Sequence, residues 1–120
     1  MPENNKKHTL VALVEDAPGV LNRVASLFRR RGFNIDSIAV GHTNEPQRSR
    51  MTIVAVGPDE VVEQVRKQVD KLVDVVKVQD ITGESIVARE LALMKVKATP
   101  TTRSEIMQIV DIFRANIVDV

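Results

Sequence analysis

The sequence predicts an α+β domain in which strands and helices follow the order β-α-β-β-α-β over about 75 residues. Short apolar runs of strand length alternate with segments whose apolar residues recur at helical spacing, and turn residues separate the two kinds of segment. The 120 residues are 43% hydrophobic and 28% charged, which is the composition of a globular chain. The chain contains no cysteine, so disulfides and thiol chemistry are excluded.

The first predicted β-α unit has clear ends. Leu10–Val14 is a continuous apolar run that predicts a buried strand. Apolar residues within Val20–Phe28 then fall on one helical face, and Pro18 is suited to the first turn of that helix. Gly32 follows three arginines and predicts the helix end, because glycine readily takes left-handed dihedral angles.

The next segments predict a hairpin, a second helix and a final strand. Phe33–Val40 alternates except for a parity slip at Asp36–Ser37, which predicts a β-bulge. Met51–Val56 predicts the second strand of the hairpin. A helix that opens after Gly57 and a strand over Val75–Ile81 complete a ferredoxin-like domain, which we place at residues 8–82.

The predicted sheet has one face without a cover. Both helices of a ferredoxin-like domain pack on the same face of its four antiparallel strands. The strand residues are apolar at nearly every position, so a monomer would expose a large apolar patch. We therefore expect a homodimer formed through the sheets or helices of two such domains.

Residues 83–120 predict the start of a second, smaller α+β domain. Leu91–Ala98 is typical of a strand, Thr102–Arg114 of a helix, and Ile117–Val120 of the beginning of another strand. Because this βαβ segment lacks the remaining strands of such a unit, we expect the second domain to be truncated.

The turn between the first strand and the first helix is a candidate ligand site. The N–H groups of Val20 and Leu21 at the helix start attract a carboxylate, and Gly19 lets a ligand approach the backbone closely. Asp16 can accept a hydrogen bond from an ammonium group, so the turn suits an amino acid. Asn34, at the start of the neighbouring strand, can close the same site. A purely structural explanation is also open: Asp16 caps the helix and the Asn34 amide satisfies backbone groups.

Other functions find little support in the residue types. His8 and His42 are the two histidines, and their polar surroundings predict surface positions rather than a metal site or an acid–base pair. The chain has no Trp or Tyr, and its strands lack the aromatic platform of an RNA-binding sheet. No catalytic set can be assembled, and no apolar run approaches the length of a membrane span. We expect a cytoplasmic protein without catalytic residues.

Several motifs in order resemble the small regulatory subunit of acetolactate synthase, also called acetohydroxyacid synthase, which carries an ACT domain. These motifs are Glu15–Leu21, Arg30–Ile35, Ser49–Ile53, Lys71–Val75, Arg89–Met94 and Ile112–Asp119. The resemblance implies a subunit that activates the catalytic large subunit and confers feedback inhibition by a branched-chain amino acid, with valine as the first candidate. It also implies that thiamine diphosphate, Mg²⁺ and FAD belong to the catalytic subunit and that this chain has no cofactor.

The resemblance also implies an effector site between the ACT domains of two chains. By position, Asp16 and Gly19 meet the effector from one chain, where Val20 and Leu21 add helix-start N–H groups. Asn34 and Ile35 meet it from the other chain. Asp16 stands where some members have Asn, and its carboxylate would repel the effector carboxylate. An alternative function is a stand-alone ACT-domain amino-acid sensor or interaction module.

Overall fold

The computed structural model describes residues 6–120, which form two units divided between Ser85 and Ile86. The first unit contains four strands and two helices in the predicted order, and the second contains one helix. The elements are β1 Lys7–Glu15, α1 Val20–Arg30, β2 Asn34–His42, β3 Arg48–Val56, α2 Asp59–Asp70, β4 Val75–Asp80 and α3 Arg103–Ile112. The predicted ferredoxin-like fold is confirmed.

The four strands form one antiparallel sheet in the order β2-β3-β1-β4, which places β2 and β4 at its edges. The pairing of β2 with β3 shifts register between Ile35 and Ser37, so Asp36 is an extra residue. This confirms the bulge that the parity slip predicted. A second register shift, in β1 between Leu13 and Val14 where it pairs with β4, had no signal in the sequence.

The core lies between the two helices and one face of the sheet. Every second residue of β1 and β3 is buried, while the residues between them are partly or fully exposed. Each helix contributes residues from one stripe at helical spacing. The main core residues are Leu10, Ala12, Val14, Met51, Ile53 and Ala55 from the sheet, and Val20, Val24, Phe28, Val62, Val65 and Val69 from the helices.

Two glycines with positive φ lie at the ends of α1. The helix begins at Val20, so the prediction that Pro18 lies in its first turn is wrong. The reason is Gly19, whose φ of 82° places it in the left-handed region and separates Pro18 from the helix. Gly32, with φ of 74°, follows the last turn as predicted.

The second unit, Ile86–Val120, differs from its prediction. Helix α3 forms within the predicted Thr102–Arg114 segment. The structure contains neither predicted strand: Leu91–Ala98 and Ile117–Val120 have no regular secondary structure. A strand requires a hydrogen-bonded neighbour, and within the described residues neither segment pairs with another. The assignment of residues 83–120 to a truncated domain stays a prediction.

His8 is buried, which corrects the prediction of a surface histidine. Its Nδ1 lies 3.3 Å from Oδ2 of Asp80, and its Nε2 lies 3.1 Å from Oδ1 of Asp59. Burial raises the pKa of Asp80, but hydrogen bonds from the Thr82 hydroxyl and backbone N–H, together with His8, outweigh that effect and lower the pKa overall. These contacts connect β1, the start of α2 and the end of β4.

Gly57 is expected to tolerate no side chain, because the ring of Phe33 covers it. A Cβ at this position would lie 2.1 Å from Cε1 of Phe33. Gly57→Ala should lower the free energy of unfolding by about 1–3 kcal/mol, measured by urea denaturation. Gly83→Ala is the control, since a Cβ there meets nothing within 4 Å. Equal stability of the two variants would contradict this packing.

Asp80 is expected to make folding sensitive to acid. Its pKa is lower in the folded chain than its ordinary value of 3.8, so the unfolded chain binds more protons as the pH falls. The stability that Asp80 contributes is therefore present above about pH 4 and is lost as the pH falls through the folded-state pKa. Asp80→Asn should lose less stability than the wild type between pH 5 and pH 2, measured by urea denaturation. Asp70→Asn, at an exposed position of α2, should behave like the wild type.

Candidate functional site

Among residues 6–120, no side chain caps the start of α1. Gly19 precedes the helix, and the Asp16 carboxylate does not bond an N–H of its first turn, which contradicts the explanation that Asp16 caps the helix. The first intrahelical bond runs from the Arg23 N–H to the Gly19 carbonyl, at 3.0 Å. The N–H of Leu21 donates to no acceptor among residues 6–120. A donor at the positive end of the helix dipole is thus free for an anionic group.

Arg23 lies directly beside Gly19. A Cβ on Gly19 would lie 3.0 Å from Nη1 of Arg23, and the positive φ would strain any side chain at this position. Arg23 forms an ion pair with Asp74, in the segment between α2 and β4. Arg23 was not among the predicted site residues, although its position four residues after Gly19 places it one helical turn above the helix start.

Asp16 is half-exposed, and its carboxylate faces the end of strand β2. Its backbone N–H donates to the Gln47 carbonyl at 2.7 Å, which fixes the turn against the hairpin loop. Its Oδ2 lies 3.6 Å from Nδ1 of His42, at the end of β2. His42 is exposed, as predicted, but it belongs to the surroundings of Asp16. No local pattern in the sequence connects Asp16 with His42, so this contact was not predicted.

The six predicted effector residues fall into two groups within one chain. Asn34 pairs with Val56, which in turn pairs with Lys7 at the start of β1. Asp16 follows the opposite end of β1. A strand rises about 3.3 Å per residue, so a nine-residue strand separates the two groups by roughly 25 Å. The structure brings together Asp16, Gly19, Val20 and Leu21, and it places Asn34 and Ile35 at the other end of the sheet.

The edge strand β2 carries exposed apolar side chains. Ile38 and Val40 pair with the core residues Ile53 and Met51, so they lie on the helix-covered face of the sheet. They are nevertheless 38% and 48% exposed, although they share this face with the buried core. On the open face, side chains such as Val11 are only partly exposed. The exposed apolar surface of the first unit therefore includes an edge, rather than the open face as a whole.

Residues 6–120 contain no group of three or more His, Asp or Glu side chains that could hold a metal ion. No helix in the same range has the length and hydrophobicity needed to cross a bilayer.

Comparisons with known proteins match both units. Residues 10–77 match the AHAS small subunit-like ACT domain family, and residues 89–120 match the family described as the small subunit of acetolactate synthase. The probable acetolactate synthase small subunit of Archaeoglobus fulgidus is 60% identical over 95% of this chain and 71% of its own length. The acetolactate synthase small subunit of Mycobacterium bovis is 55% identical over 96% of this chain and 68% of its own length.

A solved structure agrees with these matches. The acetolactate synthase small subunit of Thermotoga maritima superimposes with a TM-score of 0.73 at 37% identity, over 96% of this chain and 72% of that one. The ACT domain of the GTP pyrophosphokinase of Chlorobium tepidum, at 13% identity and a TM-score of 0.55, shares the fold alone. The resemblance seen in the sequence motifs is confirmed, and the chain belongs to the family of acetolactate synthase small subunits.

Proposed function

We propose that this chain is a non-catalytic regulatory subunit that activates the catalytic subunit of acetolactate synthase in the cytoplasm and confers feedback inhibition by a branched-chain amino acid. Valine is the first candidate effector. Family membership and the ACT domain support the regulatory role. The observation that carries effector binding is the start of α1, where the Leu21 N–H, two residues after Gly19, donates to no acceptor among residues 6–120.

The two charged groups of the effector, its carboxylate and its ammonium group, would bind to two different parts of this turn. Its carboxylate accepts a hydrogen bond from the Leu21 N–H at the start of α1, next to Val20, whose own N–H donates to the Ala17 carbonyl at 3.4 Å. Its ammonium group donates to the carboxylate of Asp16. Because Gly19 has no side chain, the ligand can approach the backbone. In this proposal the chain contributes no catalytic residue and binds no cofactor, and thiamine diphosphate, Mg²⁺ and FAD are held by the catalytic subunit.

Two copies of the chain complete the site by pairing their β2 strands. Antiparallel pairing about a two-fold axis brings the start of each β2 to the end of the other. A pairing centred on Ile38 places Asn34 opposite His42 of the second copy. Since His42 lies beside Asp16, Asn34 and Ile35 of the second copy then reach the effector turn. This arrangement explains why one chain holds the six residues in two distant groups.

The exposed residues of β2 support this pairing. An unpaired edge strand presents its backbone N–H and C=O groups as a template for another strand. Ile38 and Val40 would bury apolar surface along the same edge. An effector bound at such a seam favours one dimer arrangement over others and thereby alters the contact with the catalytic subunit. A coupling of about 1–3 kcal/mol is typical of such systems.

Effector binding is expected to require both groups of residues. Isothermal titration of the chain with valine, leucine and isoleucine should detect binding of at least one of them. Gly19→Asp should weaken it at least tenfold, because a side chain there is strained, crowds Arg23 and adds negative charge. Asn34→His should also weaken it, through loss of the amide. The matched controls Gly83→Asp and Asn116→His should bind like the wild type.

The same experiment can contradict the proposal. If both site variants bind the effector with wild-type affinity, the effector does not bind at this turn. Reconstitution with the catalytic subunit then separates the two candidate roles. If the subunits co-purify and valine, leucine and isoleucine all leave activity unchanged, the chain activates without feedback control. If effector binds but the subunits do not associate, the chain is a stand-alone sensor.

Dimerisation is expected to depend on the β2 edge. Ile38→Lys would bury a charge at the seam, so sedimentation velocity should show a shift from dimer to monomer. Val76→Lys is the matched control, because Val76 is 42% exposed on the opposite edge strand, β4. This variant should stay dimeric. The reverse pattern would place the interface at β4.

A further inference from the structure

We propose that His8, Asp59 and Asp80 form a buried polar latch in which the His8 imidazole holds a proton on both ring nitrogens. The latch joins the start of β1 to the start of α2 and the end of β4, so it does not depend on the proposed effector turn. His8 is only 3% exposed. Its Nδ1 lies 3.3 Å from Oδ2 of Asp80, and its Nε2 lies 3.1 Å from Oδ1 of Asp59.

The number of protons in the latch follows from these two contacts. The oxygens of an ionised carboxylate only accept hydrogen bonds, so each ring nitrogen must present an N–H group to its aspartate. A neutral imidazole has one N–H group, and its second nitrogen carries a lone pair that would face an anionic oxygen. The doubly protonated ring has two N–H groups and therefore suits Asp59 and Asp80 together.

The burial of Nε2 makes its environment decisive. This atom is inaccessible to water and has no aligned hydrogen-bond partner within residues 6–120, although Oδ1 of Asp59 lies at ion-pair distance. An unpaired polar nitrogen that is cut off from water destabilises the folded chain. A positive ring, in contrast, is attracted to the nearby carboxylate even where the alignment is poor.

The charges around the latch balance when His8 is positive. Asp59 has a second cationic neighbour, Lys6, whose Nζ lies 3.0 Å from its Oδ1. Asp80 accepts hydrogen bonds at Oδ1 from the hydroxyl and the backbone N–H of Thr82, and these add no charge. Two carboxylates and one ammonium group leave one negative charge. Burial alone would favour a neutral ring, but only the charged ring compensates that negative charge.

The nearest further charges, on α2, compensate each other. Arg66 and Glu63 lie one turn apart and form a two-point ion pair, with N–O distances of 2.9 and 2.6 Å. Asp80 repels Glu63 and attracts Arg66, so the pair adds little net charge to the latch.

Two backbone hydrogen bonds lie next to the latch and depend on the same corner of the domain. The Gly57 N–H donates to the Lys6 carbonyl at 3.0 Å, and the Ile81 N–H donates to the Thr9 carbonyl at 2.9 Å. The carbonyl groups belong to the residues on either side of Lys7 and His8. If the ring lost its second proton, one carboxylate would face a lone pair, and this corner would open more often without global unfolding.

The first test is nitrogen-15 NMR of the 120-residue chain at pH 7.5, where an imidazole of ordinary histidine acidity, about 6.5, is mostly neutral. Both ring nitrogens of His8 should be protonated. Asp59→Asn should convert the ring to the neutral form, because it removes the charge that holds the second proton. Asp16→Asn, at the other end of β1, is the matched control and should leave both protons in place. A neutral His8 ring in the wild type overturns the proposal.

Amide hydrogen exchange measures whether the latch fastens the corner. His8→Gln keeps a side-chain donor but loses the positive charge, so the Gly57 and Ile81 N–H groups should exchange at least tenfold faster. The Asp16 N–H, which donates to the Gln47 carbonyl, should keep its wild-type rate. If His8→Gln does not fold, Asp59→Asn gives the same readout, because its side chain is 64% exposed. Wild-type exchange at Gly57 and Ile81 in these variants overturns the latch.

Discussion

The first unit depends on a sheet that buries only one of its faces. Alternate residues of β1 and β3, such as Leu10 and Ile53, pack against two helices, and these strands occupy the centre of the sheet. Because a one-residue slip would turn this whole apolar set toward solvent, the register of the central strands is strongly fixed. The register in turn fixes where β1 ends. The turn from Asp16 to Gly19 therefore emerges at a defined corner, from which α1 must run back across the covered face.

The same architecture leaves β2 at an edge. Its bulge at Asp36 changes which residues of the strand face the helices, so Ile38 and Val40 share the apolar side of the sheet with the core and yet stay exposed. An edge with exposed apolar residues and free backbone groups is suited to pairing with another strand. The residues that would serve the effector are distributed accordingly, with the turn at one end of the sheet and Asn34 at the other.

Local patterns predicted most of the first unit, because its strands, helices and bulge depend on periodicities of two and 3.6 residues. Gly32 likewise predicted the end of α1 from a conformational preference of one residue. Contacts between distant segments had no such signal: the burial of His8 between Asp59 and Asp80 requires β1, α2 and β4 to be in place. In the second unit, apolar patterning predicted strands such as Leu91–Ala98, but patterning cannot supply the paired neighbour that a strand requires.

In the proposed dimer, the charge of Asp16 would connect the effector site to the seam between the β2 strands. In an exposed turn, an ion pair such as Asp16 with His42 contributes little, because water screens it. The proposed pairing of β2 strands would exclude part of that water, and each charge would then act more strongly on the effector. Effector and seam would then depend on each other: the seam would strengthen the contacts that hold the effector, and an effector bound only to the paired form would stabilise that form by mass action. A small domain without a catalytic group can regulate a partner in this way, because ligand concentration sets the population of one assembled state.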